Sequence, residues 1–449
     1  MERFVTATVP SVIKIIENSI PEYMDAIIKN FIPNGLISFG GCVVPRKKLV
    51  EKEKYLESIC KVIEKTRKYK TLNLMIDSGG FQIIVGDILL EDADNFLDYY
   101  VTFLTNYGHL FDEAFTLDLA SVFEGGQKEL YDKNLNSLTK TSEVGKNIKK
   151  LLFITQYDDY IYFDVWKKLI YEDPYIMDRY NMYSMSGLSF VPTLEKNVPI
   201  SHYSIGLSLM LCRLIEQKVK GKRRWHVLGT GSPKQIFVLY LIKEIIKAKY
   251  GIEFLVSYDT SATAKKVMVG RFFEYFNEID NSVIKINLRY KELNKRIQHM
   301  NHKSNKSILM EEIYKMADLI NLDKNSISDK IYESEKGSFC QDIRPLVSVI
   351  DNYEQMKIDN YLQVISKQIV KEYLKDDSHT LDQIYEVIFK LNHYGNSKEC
   401  HRMAKRYLNT LNFLYADITI QKVDEYMTKY KFLMDHERDL YNQNYSINI

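Results

Sequence analysis

Long apolar runs, paired cysteines and clustered metal ligands are all missing from this chain, and each absence excludes a class of protein. No segment of its 449 residues approaches the roughly 18 consecutive apolar residues that read as a bilayer-spanning helix, so no membrane partner is expected. The opening MERFVTATVPSVIKIIENSI has charges inside its apolar pattern and no small-residue cleavage site, which argues against a secretory signal. Cysteine occurs only at 42, 60, 212, 340 and 400. An odd, widely scattered set reads as reduced thiols of a cytoplasmic protein and not as a disulfide framework. A zinc site drawn from Cys340, Cys400 and His401 lacks ligand spacing, and His299 and His302 read as a hydrated pair, so no metal is expected. Gly229-Thr230-Gly231 lacks the GxxxxGK[ST] spacing of a phosphate loop, and no cofactor is expected.

What is present is an ordinary globular composition, 45% hydrophobic and 27% charged, which rules out wholesale disorder. The length suits two or three domains, a barrel of about 250 residues counting as one. The net charge of +2 is unevenly spread: residues 201–300 hold 18 Lys+Arg against 8 Asp+Glu. A face that binds a polyanion would need such a local excess. Solvated lysine-rich helices carrying Lys243, Lys247 and Lys249 would produce it equally well.

Short apolar runs recur, each ending in a polar or glycine turn and followed by a longer helical pattern. TLNLMI ends at Asp77, AFTL at Asp118, KLLFIT at Gln156, YSM at Ser186-Gly187, WHVL at Gly229 and FLVSY at Asp259. Strand-plus-helix units repeated in this way favour parallel strands with covering helices. GLISFGG leaves room for further units near the N-terminus, so the expectation is α/β: a TIM-type (β/α)8 barrel over residues 1–280, with an open doubly wound sheet as the rival. From about residue 280 the pattern becomes amphipathic and helical, in MEEIYKMADLI, VISKQIVKEYLK, LDQIYEVIFKL and HRMAKRYLNTLNFLY, which predicts a mainly helical C-terminal domain over 281–449.

A barrel makes a statement about position, because its active site lies where the C-terminal ends of the strands converge. Those ends carry Asp77, Asp118, Gln156, Gly187, Gly229 and Asp259. Any one of them could merely cap a helix or close a turn; together they point to a site. The densest signal is Asp77-Ser78-Gly79-Gly80-Phe81-Gln82. It sets a carboxylate at a strand end, then two glycines that admit close backbone approach, an aromatic face on which a base could stack, and an amide able to read a base edge or brace a neighbouring strand.

This string resembles the signature of the tRNA-guanine transglycosylase family, and the similarity continues in order over about residues 35–275. FTLDLAS and LFITQYD resemble the family strands bearing a base-reading aspartate and glutamine, here Asp118 and Gln156. SMSGLSF resembles the Gly-Gly-Leu segment whose backbone contacts the base, with Ser186 in place of the first glycine, followed by Gly187 and Leu188. FLVSYDTSA resembles the strand of the nucleophile, here Asp259. The resemblance implies base exchange at a nucleoside. Exchange without hydrolysis calls for a covalent glycosyl-enzyme with overall retention: Asp259 as nucleophile, Asp77 as general acid/base, and Asp118, Gln156, Gly187 and Leu188 reading a guanine-like face beside Ser78, Gly79, Gly80 and Phe81. A base held within a polynucleotide must be flipped into the pocket.

Two departures bear on the substrate. The close C-x-C-x-x-C cluster and later histidine of the tRNA enzymes are lacking, and their Pro-Thr-Arg-x-Gly-Arg stretch is replaced by Thr263-Ala264-Lys265-Lys266-Val267-Met268 with Arg271 beyond. Lys265, Lys266 and Arg271 can still meet phosphates, though lysines do so as point charges. The combination resembles the DpdA-like DNA-guanine transglycosylases of bacteria and phages. It implies DNA and a free 7-deazaguanine (preQ0-type) base as partners in the cytoplasm, of the host if phage-encoded, and leaves a homodimer open. The alternatives are the same chemistry on tRNA, a non-catalytic nucleic-acid-binding subunit, and hydrolysis at the same anomeric carbon.

Overall fold

A computed structural model describes residues 2–5, 24–40, 51–84, 87–119, 126–144, 151–156, 163–172, 182–186, 198–260, 272–287, 311–312, 314–315, 318, 344–375, 378–392 and 395–429. The protein is α/β. In chain order the elements are β1 (Glu2–Val5), α1 (Met24–Phe31), β2 (Asn34–Ser38), α2 (Lys52–Arg67), β3 (Asn73–Asp77), the short α3 (Gly80–Ile84), α4 (Ala93–Tyr107), β4 (Glu113–Phe115), α5 (Gly126–Val144), β5 (Leu151–Gln156), α6 (Phe163–Lys167, continued by a π turn), β6 (Met182–Ser186), α7 (His202–Glu216), β7 (Gly221–Val227), α8 (Pro233–Tyr250) and β8 (Ile252–Thr260). Each strand pairs in parallel with the next, and β1 pairs with β8, which closes the sheet into an eight-stranded barrel.

Period-two alternation sorts the strand residues into two compartments. Ile37, Leu74, Ile76, Ala114, Trp225, Val227 and Tyr258 join the large core between strands and helices. Leu36, Met75 and Phe115 form a separate small cluster, the barrel's own interior. The polar residues in step with that cluster stack above and below it. Towards the starts of the strands Glu113 and Arg224, both buried, form an ion pair at 3.1 Å. Towards their ends stand Ser38, Asp77 and Asp259. Helix boundaries follow local chemistry: α8 starts with Pro233 at its first turn and ends at Gly251 in the left-handed region, φ 70°, the usual division of labour between these two residues.

Beyond β8 the mainly helical region is preceded by a pair of strands that the sequence reading did not name. β9 (Phe272–Asn277) and β10 (Ser282–Asn287) form an antiparallel hairpin, and the anticipated boundary at residue 280 falls in its turn. The three long helices that follow, α9 (Arg344–Tyr373), α10 (Thr380–Leu391) and α11 (Ser397–Tyr415), contain VISKQIVKEYLK but for its last two residues, LDQIYEVIFKL and HRMAKRYLNTLNFLY, and pack against the barrel. Helix α9 packs against both α8 and α1, so it completes the helical ring after β8, and Tyr258 on the outer face of β8 donates to its Asp359. It also covers the open edge of the hairpin, since Asp351 and Glu354 accept from the Glu274 and Phe276 N–H groups at 2.8 Å each. That leaves those backbone donors unavailable to another strand. Helix α11 docks where α7 and α8 begin: Tyr407 donates to the Lys234 carbonyl, the Ser201 N–H donates to Thr410, and Arg406 donates to the Val198 carbonyl. Among the described residues no helix is long and apolar enough to cross a membrane.

Candidate active site

Three aspartates meet at the C-terminal rim of the barrel. Asp77 ends β3 and is the register partner of Ser38 on β2. Asp259 lies one residue before the end of β8 and is 6% exposed. Asp118 is 4% exposed, but it is not at a strand end as AFTL suggested. β4 stops at Phe115, and Asp118 sits three residues further on. The stretch between is fixed by buried side chains: Tyr100 donates to the Phe115 carbonyl at 2.6 Å, Ser137 to the Leu117 carbonyl at 2.6 Å, and Asn134 accepts from the Leu119 N–H at 3.0 Å. Side-chain partners thus replace the ladder bonds that a continued strand would have made.

The Asp-Ser-Gly-Gly string shows why it needs glycine at two positions. Gly79 has φ +92°, and a Cβ there would fall 2.5 Å from the Gly40 backbone. A Cβ on Gly80 would fall 2.7 Å from Asp118 Oδ1, so the missing side chain is what lets the Asp118 carboxyl nest against this turn. Gln82 braces its neighbour: its amide oxygen accepts from Ser38 at 3.5 Å, while the Phe39 N–H donates to the Asp77 carbonyl at 2.8 Å. Beneath them the Phe39 ring is packed among Tyr55, Phe96, Tyr100 and Phe103 at centroid distances of 5.0–5.4 Å. Tyr55 holds the Phe39 carbonyl at 2.6 Å.

The carboxylates have different surroundings. Burial first, then the Asp118 charge and the weaker Asp259 charge, raise the Asp77 pKa from 3.8 to about 7 against hydrogen bonds from Ser38 and the Gly79 backbone that lower it. A carboxyl at this value can hold or release a proton near neutrality. Asp77 and Asp118 in turn add to burial in holding the Tyr100 hydroxyl well above the phenol range. Asp259, in contrast, is held by donors. The Gly229 N–H donates to Oδ1 at 2.9 Å, and His226 Nε2 lies 3.4 Å from the same oxygen. His226 is fully buried, with Nδ1 2.8 Å from Ser257 Oγ and its ring 5.0 Å from that of Phe115.

Of the residues singled out from sequence, Asp77, Ser78, Gly79, Gly80, Asp118 and Asp259 come together at this rim, with Ser78 fully buried. Phe81 lies in α3. Gln156 and Ser186 end β5 and β6 as register partners on the same rim. Gly187, Leu188, Lys265, Lys266 and Arg271 lie outside the described residues. Several of the cations behind the positive excess of residues 201–300 lie away from this rim. Lys218, Lys220, Lys222 and Arg223 precede or open β7, at the opposite end of the barrel, and Lys243, Lys247 and Lys249 are ion-paired on or beside α8. His226, Ser257, Asn134 and Ser38 were not anticipated. Alternation could have revealed the first two, since Arg224 and His226 on β7, and Ser257 and Asp259 on β8, are polar residues at interior-facing steps. Among the described residues no three His, Cys, Asp or Glu side chains are grouped as metal ligands; Cys340 lies outside them. No protein-family model matches the chain, and no curated protein matches it.

Proposed function

We propose that this protein is a DNA-guanine transglycosylase, an enzyme that exchanges guanine in DNA for a free 7-deazaguanine base through a glycosyl-aspartate intermediate on a TIM-type barrel. The observation that carries the reading is the division of labour at one rim. Asp77 has its proton affinity raised to about 7, while Asp259 is held by a backbone N–H and faced by an imidazole. A carboxyl able to hold a proton near neutrality beside a second one fixed by donors suits one acid/base and one nucleophile. Asp259 attacks the anomeric carbon as the bond to guanine N9 breaks, and Asp77 gives the departing base its proton. The incoming base then loses its own N9 proton to Asp77 and displaces Asp259, so configuration is retained and no proton is gained or lost overall. Asp118, nested against Gly80, supplies an acceptor for the N1 and exocyclic amine protons of a guanine-like face.

The same chemistry on tRNA is the second reading, kept because the six-residue string belongs equally to that branch. DNA is favoured by the lack of the C-x-C-x-x-C cluster and by lysines where the tRNA enzymes have arginine. Labelled guanine or preQ0 offered with DNA and with tRNA, to wild type and to Asp259→Ala, tests both. Label should enter DNA with the wild type alone. Label entering only tRNA overturns the substrate, and label entering neither, or abasic sites accumulating, overturns the exchange.

A further inference from the structure

We propose that His226 is a positioning residue that selects which oxygen of Asp259 attacks; the proposal rests on the transglycosylase reading. His226 and Ser257 are register partners on β7 and β8, and Asp259 is the next interior-facing residue along β8. The imidazole therefore lies directly beneath the carboxylate, fully buried. An ionised carboxylate oxygen can only accept, so a ring nitrogen directed at it carries the proton. His226 Nε2 is then the donor to Asp259 Oδ1, and Nδ1, 2.8 Å from Ser257 Oγ, accepts the serine hydroxyl hydrogen. Ser257 thus sets the tautomer of the ring, as a hydrogen bond at the second nitrogen does wherever imidazole orients a reacting group. The 3.4 Å separation of Nε2 and Oδ1 is long, as such contacts often are before substrate binds.

Both donors to Asp259, the Gly229 N–H and His226, address Oδ1. Among the described residues no hydrogen bond to Oδ2 is found, which leaves that oxygen to form the bond to the anomeric carbon. In the ester so formed Oδ1 becomes the carbonyl oxygen. When the incoming base attacks, the bond from the anomeric carbon to Oδ2 breaks, its electron pair returns to the carboxylate, and the charge spreads onto Oδ1, where both donors are already in place. Donors fixed where charge develops act without rearrangement at the moment of reaction. His226 lies beneath Asp259 and is assigned to act through it.

The test compares His226→Phe, His226→Gln and Ser257→Ala. Phenylalanine keeps a ring against Phe115 and removes the donor; glutamine can present an amide N–H near the same place. The readouts are the single-turnover rates at which a covalent protein–DNA adduct appears and is discharged by added base, together with KM for the oligonucleotide and the melting temperature. His226→Phe should lose about tenfold to a hundredfold in both rates with KM unchanged, His226→Gln should recover most of the loss, and Ser257→Ala should fall between. Wild-type rates in a folded His226→Phe overturn the proposal, and so does an equal loss in the Phe and Gln variants, which would mark a packing role. A wild type that forms no adduct with DNA or tRNA defeats the transglycosylase reading instead. Nitrogen NMR of histidine-labelled protein still decides the tautomer in that case: His226 should carry its proton on Nε2 in the wild type and lose that preference in Ser257→Ala. A proton on Nδ1 in the wild type refutes the arrangement.

Discussion

Replacing Asp77 with asparagine probes the site through stability as well as turnover. In the folded protein the Asp77 carboxyl titrates at about 7 instead of 3.8, chiefly through burial and the Asp118 charge. Between these values the folded state keeps a proton that the unfolded chain releases. Stability contributed by the protonated carboxyl is therefore complete below pH 3.8 and is lost as pH rises towards 7. A tenfold change in proton affinity is about 1.4 kcal/mol, so the whole window amounts to roughly 4 kcal/mol, an upper bound because water at the partly open carboxyl screens it. Asparagine has nearly the same shape and no proton to lose. Urea unfolding of both proteins at pH 4.5 and pH 7.5 should show the stability difference moving in favour of Asp77→Asn by roughly 2–3 kcal/mol, other titrations cancelling in the comparison. Base exchange by the variant should meanwhile fall by about a hundredfold or more. A difference that stays constant across the two pH values would refute both the raised affinity and the role built on it, whatever the activity did.

Two substitutions test how Asp118 is held. Gly80→Ala sets a methyl group 2.5 Å from the Asp118 carbonyl oxygen and 2.7 Å from its Oδ1; it should cost about 1–3 kcal/mol, read as a lower melting temperature, and should raise KM for the free base. Asn134→Ala removes the acceptor of the buried Leu119 N–H, which should cost about 1–3 kcal/mol in denaturant unfolding and weaken base binding with less effect on adduct formation from saturating DNA.

Wherever one residue's neighbours along the chain decide its surroundings, the sequence alone determined the outcome. Apolar runs ending in turns mark the strands, because at least the strand face turned to the covering helices must be apolar, and the runs ending at Asp77, Gln156, Ser186 and Asp259 are strands in the structure. The helices at 380–391 and 397–415, and the C-terminal part of the one at 344–373, were legible from three- and four-residue spacing for the same local reason; residues 344–363 were not. The glycines at 79 and 80 declared a close approach, though not what approaches. Only the tertiary structure decided that Gly79 meets Gly40 and that Gly80 meets Asp118, since those contacts join turns distant in sequence. It also decided that the site aspartates face one another, which is what raises the affinity of Asp77 for its proton: a sum of burial and like charge has no counterpart along the chain. His226 was passed over because a lone histidine in a strand signals nothing until β7 and β8 pair and lay it beneath Asp259. The C-terminal helices were recognisable as helices to be packed on the barrel, but not where they pack, because amphipathic spacing shows that a face is buried and is silent about what buries it. Here α9 covers the outside of β8 between α8 and α1, and the barrel's last helical position is filled by residues nearly a hundred positions beyond its last strand.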